Sequence, residues 1–148
     1  MPVTDEQIAT LRAQLKGNIT EHRRLLSQLD PEEANVGYSA LVTAAFIEAA
    51  EQRFIKGGEM ADKSDVIDFV AQAREGDDEA PEVINPEIAE SMILHLLGKG
   101  SMVDADAETK LGHQIVLLAT LVGERQFTEN ELDAFLLSAR SLANDLIG

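Results

Sequence analysis

The stretch SALVTAAFIEAAEQRF, residues 39–54, constrains the fold of this chain more than any other segment. When it is drawn as a helix, its apolar side chains leave almost no polar face before Glu48. A helix that is apolar on nearly every side has to be covered by neighbouring elements. The stretch therefore predicts a central helix, and its many alanines would let other helices approach it closely.

Helical spacing recurs in five further segments, which place apolar residues three or four positions apart. Several of them begin with a helix start signal: Thr4 with Gln7, Asn85-Pro86-Glu87, and Thr128 with Glu131. No segment shows the strict alternation that is typical of a strand. The sequence therefore predicts an all-α fold, an irregular bundle of five or six helices around residues 39–54.

The length of 148 residues is typical of one domain with one hydrophobic core, so we expect a single helical domain over residues 1–148. The run EGDDEAPE, residues 75–82, is acidic, contains proline and has almost no large apolar side chain. A segment of this composition cannot bury enough apolar surface to order itself. It predicts an exposed acidic loop at about residues 75–84.

The chain is strongly acidic, with 27 Asp and Glu against 12 Lys and Arg and a formal net charge of −15. Binding to nucleic acid depends on basic side chains that neutralise phosphates, so this charge argues against a nucleic-acid partner. It favours solubility, or attraction to basic partners, instead. Mimicry of DNA by carboxylates spaced like phosphates stays open, although the acids are spread widely along the chain.

Several kinds of site and classes of protein are excluded by residues and segments that the sequence lacks. It has no cysteine, which rules out disulfides, thiolate metal ligands and cysteine nucleophiles. Its first residues do not show the basic and then apolar regions of a secretory signal, and no apolar run approaches the ~20 residues of a membrane span. We therefore expect a cytoplasmic protein with no membrane-spanning segment.

The stretch SMILHLLGKGS, residues 91–101, comes nearest to a phosphate or catalytic motif. A phosphate loop needs a strand before it and a glycine five positions before its Gly-Lys pair, where Ile93 stands. Gly98 is better explained as the terminator of a helix. The calcium-loop pattern that Asp104 and Asp106 begin also fails, because its central glycine and final acid are absent. The sequence thus assigns no catalytic residue, no metal ligand and no cofactor.

A non-enzymatic protein-interaction or regulatory module is the function that the sequence favours. The first predicted helix runs from Thr4 to about Gln28 and carries one apolar stripe with 3.5-residue spacing. This stripe either packs on the core or contacts a protein partner, including a second copy in a homodimer. A histidine within the stripe would make such association pH-sensitive. The candidate interaction residues are Ile8, Leu11, Leu15, Ile19 and His22.

The alternative is a small-molecule-binding protein or small enzyme with a pocket between helices near His95. On a helical wheel His95 lies at the edge of the apolar arc of its helix, beside Ser91. Together with Tyr38 these residues are the candidate polar groups of such a pocket. His113 lies opposite the core stripe of its own helix, so we expect it to be exposed or to face a partner.

Overall fold

The computed structural model describes residues 2–76, 83–100 and 104–147. Within these ranges the chain is helical almost throughout, which confirms the all-α prediction. The described residues form seven α-helices of ten or more residues: α1 (Asp5–Leu15), α2 (Ile19–Gln28), α4 (Ser39–Phe54), α5 (Lys63–Glu75), α6 (Pro86–Leu96), α7 (Ala107–Arg125) and α8 (Glu129–Ile147). A single turn, α3 (Pro31–Glu33), and a π-helix (Ala34–Tyr38) precede α4. Residues 77–82, most of the predicted acidic loop, lie outside the described ranges.

The helix α4 has the bounds that its apolar pattern predicts, Ser39–Phe54. Half of its sixteen side chains are buried, and four of its five alanines are among them. The buried members are Leu41, Val42, Ala44, Ala45, Phe46, Ala49, Ala50 and Phe54. Small side chains at these positions allow the close approach of neighbouring elements that an all-round apolar helix requires.

The first predicted helix is divided into α1 and α2, so the prediction of one continuous helix with one stripe is wrong. Gly17 adopts the left-handed conformation, with φ of 78°, and ends α1. Asn18 then caps α2, because its side-chain oxygen accepts a hydrogen bond from the Glu21 N–H at 3.3 Å. Glycine tolerates this backbone at no steric cost and asparagine is a preferred cap, so both residues favour the break. The helix count exceeds the predicted five or six because of it.

The predicted helix start signals are confirmed. Thr4 and Gln7 form a reciprocal capping box at α1, and Thr128 and Glu131 form another at α8. The Asn85 side chain accepts hydrogen bonds from two backbone N–H groups at the start of α6. These bonds satisfy donors that the first turn of a helix cannot satisfy itself, which is why short polar signals locate helix starts.

Two elements have no counterpart in the sequence prediction. The π-helix continues α3 into α4 with a wider turn. After α4, the strands β1 (Ile55–Lys56) and β2 (Glu59–Met60) form a small antiparallel hairpin that pairs Ile55 with Met60. Gly57 and Gly58 both have positive φ, so the pair that the sequence assigns to ending the helix also makes a tight hairpin turn.

The chain divides into two compact units, Met1–Glu48 with Val122–Gly148, and Ala49–Leu121. The helices α4 and α7 contribute residues to both. The single domain over residues 1–148 stays a prediction, and each unit is described by itself. Among the described helices, none combines the length and apolar character that crossing a bilayer requires.

In the first unit, α1 and α8 are joined by several polar contacts. The Arg12 guanidinium pairs with Glu129 at 2.8 Å and with Asp133, and the Lys16 ammonium also pairs with Glu129. The Val3 N–H donates to the Asn144 side chain at 2.8 Å, which anchors the segment before α1. Most buried apolar residues of this unit come from both helices, the π-helix and the first part of α4, and Val3 and Val122 are buried with them.

In the second unit, the end of α4 packs with α5. The rings of Phe54 and Phe69 lie edge to face with centroids 5.4 Å apart, and the Arg53 guanidinium lies over both of them. Such an arrangement directs a positive group at the electron-rich ring faces. The remaining core of this unit comes from α5, α6 and α7, including Val66, Val70, Ala89, Ile93 and Leu118.

Candidate functional site

The helix α2 has the sharpest separation of apolar and polar side chains among the seven long helices, yet none of its residues is buried. Ile19 is 46% exposed and Leu26 is 42% exposed, whereas Leu25 and Leu29 are half-buried. An amphipathic helix normally stabilises itself by covering its apolar stripe. Among the described residues of the first unit, the neighbours of α2 therefore cover only one edge of its stripe.

The exposed edge of α2 has a simple helical geometry. Ile19, Arg23 and Leu26 follow at intervals of four and three residues, so their side chains lie on one face. All three are exposed, and we call them the α2 surface. Arg23 contributes a long methylene stem to this face and can still place its charged group in water.

His22 connects α2 to α1. Its Nδ1 lies 2.8 Å from the carbonyl oxygen of Thr10 on α1, and because a carbonyl oxygen only accepts, Nδ1 carries the hydrogen and donates. Thr10 itself is buried, and its hydroxyl donates to the Glu6 carbonyl oxygen at 2.7 Å. The predicted interaction residue His22 is therefore half-buried at the junction of the two helices rather than fully presented on the α2 surface.

The charge of α2 differs in sign from that of the chain. It carries two exposed arginines, Arg23 and Arg24, against one glutamate, whereas the whole chain has a formal net charge of −15. The Arg24 Nε donates to the Glu21 carboxylate at 2.9 Å, and this hydrogen bond lowers the pKa of Glu21. A negatively charged partner is accordingly repelled less at α2 than by the chain as a whole.

The other predicted interaction residues have separate environments. Leu11 is completely buried in the first unit, and Ile8 and Leu15 are half-buried. Ile8 lines a small cleft of about 110 Å³ together with Leu136 and Leu137 of α8. The structure therefore does not bring the five predicted residues onto one exposed face: the break at Gly17 divides them between two helices, and of the five only Ile19 is exposed.

The predicted ligand-binding residues belong to different units. Tyr38 is buried in the first unit, where its hydroxyl donates to the Gln14 side-chain oxygen at 3.4 Å, and burial raises the pKa of the Tyr38 hydroxyl. Ser91 and His95 belong to α6 in the second unit. His95 is exposed, and its Nδ1 lies 3.3 Å from the Gly100 carbonyl oxygen. None of the three residues lines the small cleft beside Ile8 or either of the two larger clefts described below.

His113 has a role that the sequence did not indicate. It is only 7% exposed, and its Nε2 accepts a hydrogen bond from the Asn85 N–H at 3.0 Å. Its Nδ1 donates to the Thr109 carbonyl oxygen at 2.8 Å. A backbone N–H only donates and a carbonyl only accepts, so the ring is neutral with its hydrogen on Nδ1. The expectation of an exposed His113 is therefore wrong, because the start of α6 meets it from a remote part of the sequence.

Two larger clefts lie in the described part of the chain, one in each unit. The N-terminal cleft, of about 390 Å³, is lined by Pro2, Thr4, Gln7, Asp30, Glu32, Val36 and Gly37. The hairpin cleft, of about 430 Å³, is lined by Arg53, Phe54, Lys56, Glu59, Met60, Ala61, Asp62 and Asp65. The hairpin cleft mixes cations with carboxylates, whereas the charged residues in the described lining of the N-terminal cleft are both carboxylates.

Within the described ranges, no group of three or more His, Asp and Glu residues is placed to hold a metal ion. Comparison of the chain with protein-family models, with curated proteins and with solved structures gives no match.

Proposed function

We propose that this chain is a non-enzymatic interaction module that associates with a second copy of itself through α2. The observation that carries the proposal is that α2, the most amphipathic of the described long helices, buries none of its side chains. The other six long helices each contribute buried residues to a core. The unused apolar edge of α2 is thus the feature of the fold that a second molecule would complete.

The partner is a second copy because the α2 surface is self-complementary. If two α2 helices pack antiparallel around a two-fold axis near their midpoint, Ile19 of each copy lies opposite Leu26 of the other. Every contact is then made twice, and the Arg23 stems lie over the apolar centre while their guanidinium groups reach water. Removal of these side chains from water is the favourable step of association.

Charge directs where two copies can meet. Two molecules with a net charge of −15 repel each other, and this repulsion is smallest where α2 presents its arginines. Added salt screens the repulsion, so self-association should strengthen as ionic strength rises. A separate acidic protein attracted to Arg23 and Arg24 would behave in the opposite way, because salt would screen that attraction.

Sedimentation velocity tests the proposal directly. The wild-type chain would be measured from about 10 μM to about 1 mM, a range that detects association free energies of about −7 to −4 kcal/mol. We expect a concentration-dependent dimer, and a monomer for the variant Ile19→Ser with Leu26→Ser. The control is Ile67→Ser, which changes an exposed apolar residue of α5 and should dimerise like the wild type.

Two results would overturn the proposal. One is a single monomeric species of the wild type over the whole concentration range, at about pH 5.5 and about pH 8. The other is a dimer that the double variant forms as readily as the wild type, which would place the contact elsewhere. Circular dichroism of each variant checks that its helical content is unchanged, so that loss of the dimer is not loss of the fold.

A further inference from the structure

The three histidines of the chain differ in the hydrogen bonds that hold their rings. His22 and His95 each make one described ring bond, from Nδ1 to a carbonyl oxygen. In His113 both nitrogens are used: Nδ1 donates to the Thr109 carbonyl oxygen at 2.8 Å, and Nε2 accepts from the Asn85 N–H at 3.0 Å. A proton added at Nε2 leaves the bonds of His22 and His95 intact, whereas in His113 that nitrogen is already occupied.

Protonation of His113 is incompatible with its bond to Asn85. An imidazolium ring carries a hydrogen on both nitrogens and only donates, and a backbone N–H also only donates. At a separation of 3.0 Å the two hydrogens would point at each other. The ring is 7% exposed, so water cannot replace the lost bond while the segment stays in place. Uptake of a proton at Nε2 therefore requires Asn85 to move away.

The bond to His113 holds the entry of α6 in the second unit. Asn85 is the N-cap of α6, and His113 lies 28 positions further along the chain, in α7. Ile84, directly before the cap, is only 1% exposed. The helix α6 has its own side-chain cap, and it is packed through buried residues that include Ala89 and Ile93. Release of Asn85 therefore exposes Ile84 while most of α6 stays in place.

The charged side chains around His113 do not bond to its ring among the described residues. Each is exposed or half-buried, whereas the ring is buried. On α7 they are Asp106 and Lys110, on α6 they are Glu87 and Glu90, and on α5, which packs on α6, the half-buried one is Arg74. The three carboxylates favour a charged ring and the two cations oppose it. The hydrogen bonds, rather than an ion pair, thus decide which form of the ring the fold accepts.

We infer that His113 is an acid-sensitive latch on the start of α6. The neutral ring holds Asn85, and a proton taken from solvent at Nε2 breaks this bond and releases Ile84 with it. In the open form the ring takes up a proton in the ordinary imidazole range, near about pH 6.5, whereas the closed form has no free lone pair for it. Falling pH therefore favours the open form, and rising pH closes the latch again. The latch lies within the second unit, so it stands whether or not the chain dimerises through α2.

Hydrogen exchange of the ¹⁵N-labelled full chain tests the latch. Protection factors, which correct for the effect of pH on exchange itself, would be compared at about pH 7.5 and about pH 4.5. We expect protection of the Asn85 amide to fall by about 10- to 100-fold, because opening coupled to one proton becomes about tenfold easier for each pH unit below about 6.5. Ala89, whose N–H donates to the Asn85 carbonyl oxygen at 3.0 Å, should follow in part. Leu136 and Ala139 of α8 are the reference and should change by less than about twofold.

Two variants separate the latch from a general effect of acid. His113→Gln keeps a side-chain acceptor and donor but does not take up a proton in this range, so protection at Asn85 should stay within about twofold between the two pH values. The control His95→Gln removes an exposed ring of the same unit and should keep the wild-type pH dependence. The ring nitrogen shifts of wild-type His113 give a measurement that needs no variant. They should show hydrogen on Nδ1 at about pH 7.5 and on both nitrogens at about pH 4.5.

Five results would overturn the inference. Two concern the ring: a hydrogen on Nε2 at about pH 7.5, or a ring that is still neutral at about pH 4.5. Two concern the bond: protection at Asn85 that does not change while the ring is protonated, or a loss of protection in His113→Gln as large as in the wild type. The fifth is an equal loss of protection in α8, which would show acid unfolding of the chain in place of local release at α6.

Discussion

The helices α2 and α4 show how differently two helices of one chain can be stabilised. In α2 the apolar and polar side chains are sharply separated, yet no residue is buried. In α4 the separation is weak, yet half of the side chains are buried. Amphipathic spacing tells which side of a helix can be covered, but it does not tell how much of that side its neighbours cover.

The interactions that hold the two helices differ accordingly. The helix α4 depends on packing, such as the edge-to-face contact of Phe54 with Phe69. The helix α2 depends on local bonds: the Asn18 cap, the Glu21–Arg24 ion pair and the His22 bond to α1. The loss of core packing typically costs several times more free energy than the loss of a surface interaction. Substitutions in α4 should therefore lower the free energy of unfolding more than substitutions in α2.

The largest effect is expected from Phe54→Ala. It removes a ring that is 1% exposed, and it leaves a cavity beside Phe69. The free energy of unfolding should fall by about 3–5 kcal/mol in a urea titration. The matched change on α2, Leu26→Ala, should cost less than about 1 kcal/mol because the side chain is already partly in water. Equal losses in the two variants would remove the contrast between the helices.

A smaller effect of the same kind is expected from adding volume. Ala45 on α4 is completely buried, so Ala45→Leu should lower the free energy of unfolding by about 1–3 kcal/mol through overpacking. On α2, Ser27→Leu adds a similar side chain at an exposed position and should change stability by less than about 0.5 kcal/mol. Thermal unfolding followed by circular dichroism compares the two; an unchanged midpoint for Ala45→Leu would show that α4 has spare room.

The cap of α2 provides the next effect. Asn18→Ala removes the side-chain oxygen that accepts from the Glu21 N–H and should cost about 0.5–2 kcal/mol. Because α2 has little packing to hold it, the loss should be local, with faster hydrogen exchange at the amides of Glu21 and His22 than in α4. Substitution by aspartate, which can accept the same bond, is the control and should restore slow exchange. Uniform acceleration in both helices would mean that α2 does not open by itself.

The smallest effect concerns pH. The hydrogen bond from Arg24 holds the pKa of Glu21 below its ordinary value of 4.5 in the folded chain. The bond therefore stabilises the fold above that ordinary value, and the contribution is lost as pH falls through the folded-state pKa. In Glu21→Gln this acid-dependent part should disappear, so unfolding midpoints between about pH 5 and about pH 2 should fall slightly less steeply than in the wild type. A steeper fall in Glu21→Gln than in the wild type would contradict a stabilising role for the Glu21–Arg24 pair.

Local features of the fold could be read from the sequence. The bounds of α4 and the caps at Thr4, Asn85 and Thr128 follow from residues within a turn or two of each other. The break between α1 and α2 also had a local signal, since Gly17 and Asn18 are weak helix formers. The apolar spacing continues across Gly17 and Asn18, and it therefore favours one helix. Spacing alone does not show whether the helical backbone also continues.

The candidate sites were much harder to predict. His95 and His113 differ most clearly: the first is exposed, and the second is buried between the Asn85 N–H and the Thr109 carbonyl. The N-terminal cleft could not be predicted, since Gln7 and Gly37 are thirty residues apart and the capping box that contains Gln7 indicates a helix start, not a cleft. The only signal was Gly37 itself, a glycine in an otherwise helical region.

By itself, the sequence determined the all-α class, the acidic charge, the course of α4 and where most helices begin. These properties depend on composition and on contacts within one or two turns, where spacing along the chain equals spacing in the fold. Tertiary structure alone decided that α2 keeps an open apolar edge, that His113 is buried and neutral, and that Gln7 lies beneath Gly37. Each of these three features depends on whether a segment remote in the sequence packs against the residue. A local sequence pattern does not show whether such a contact forms.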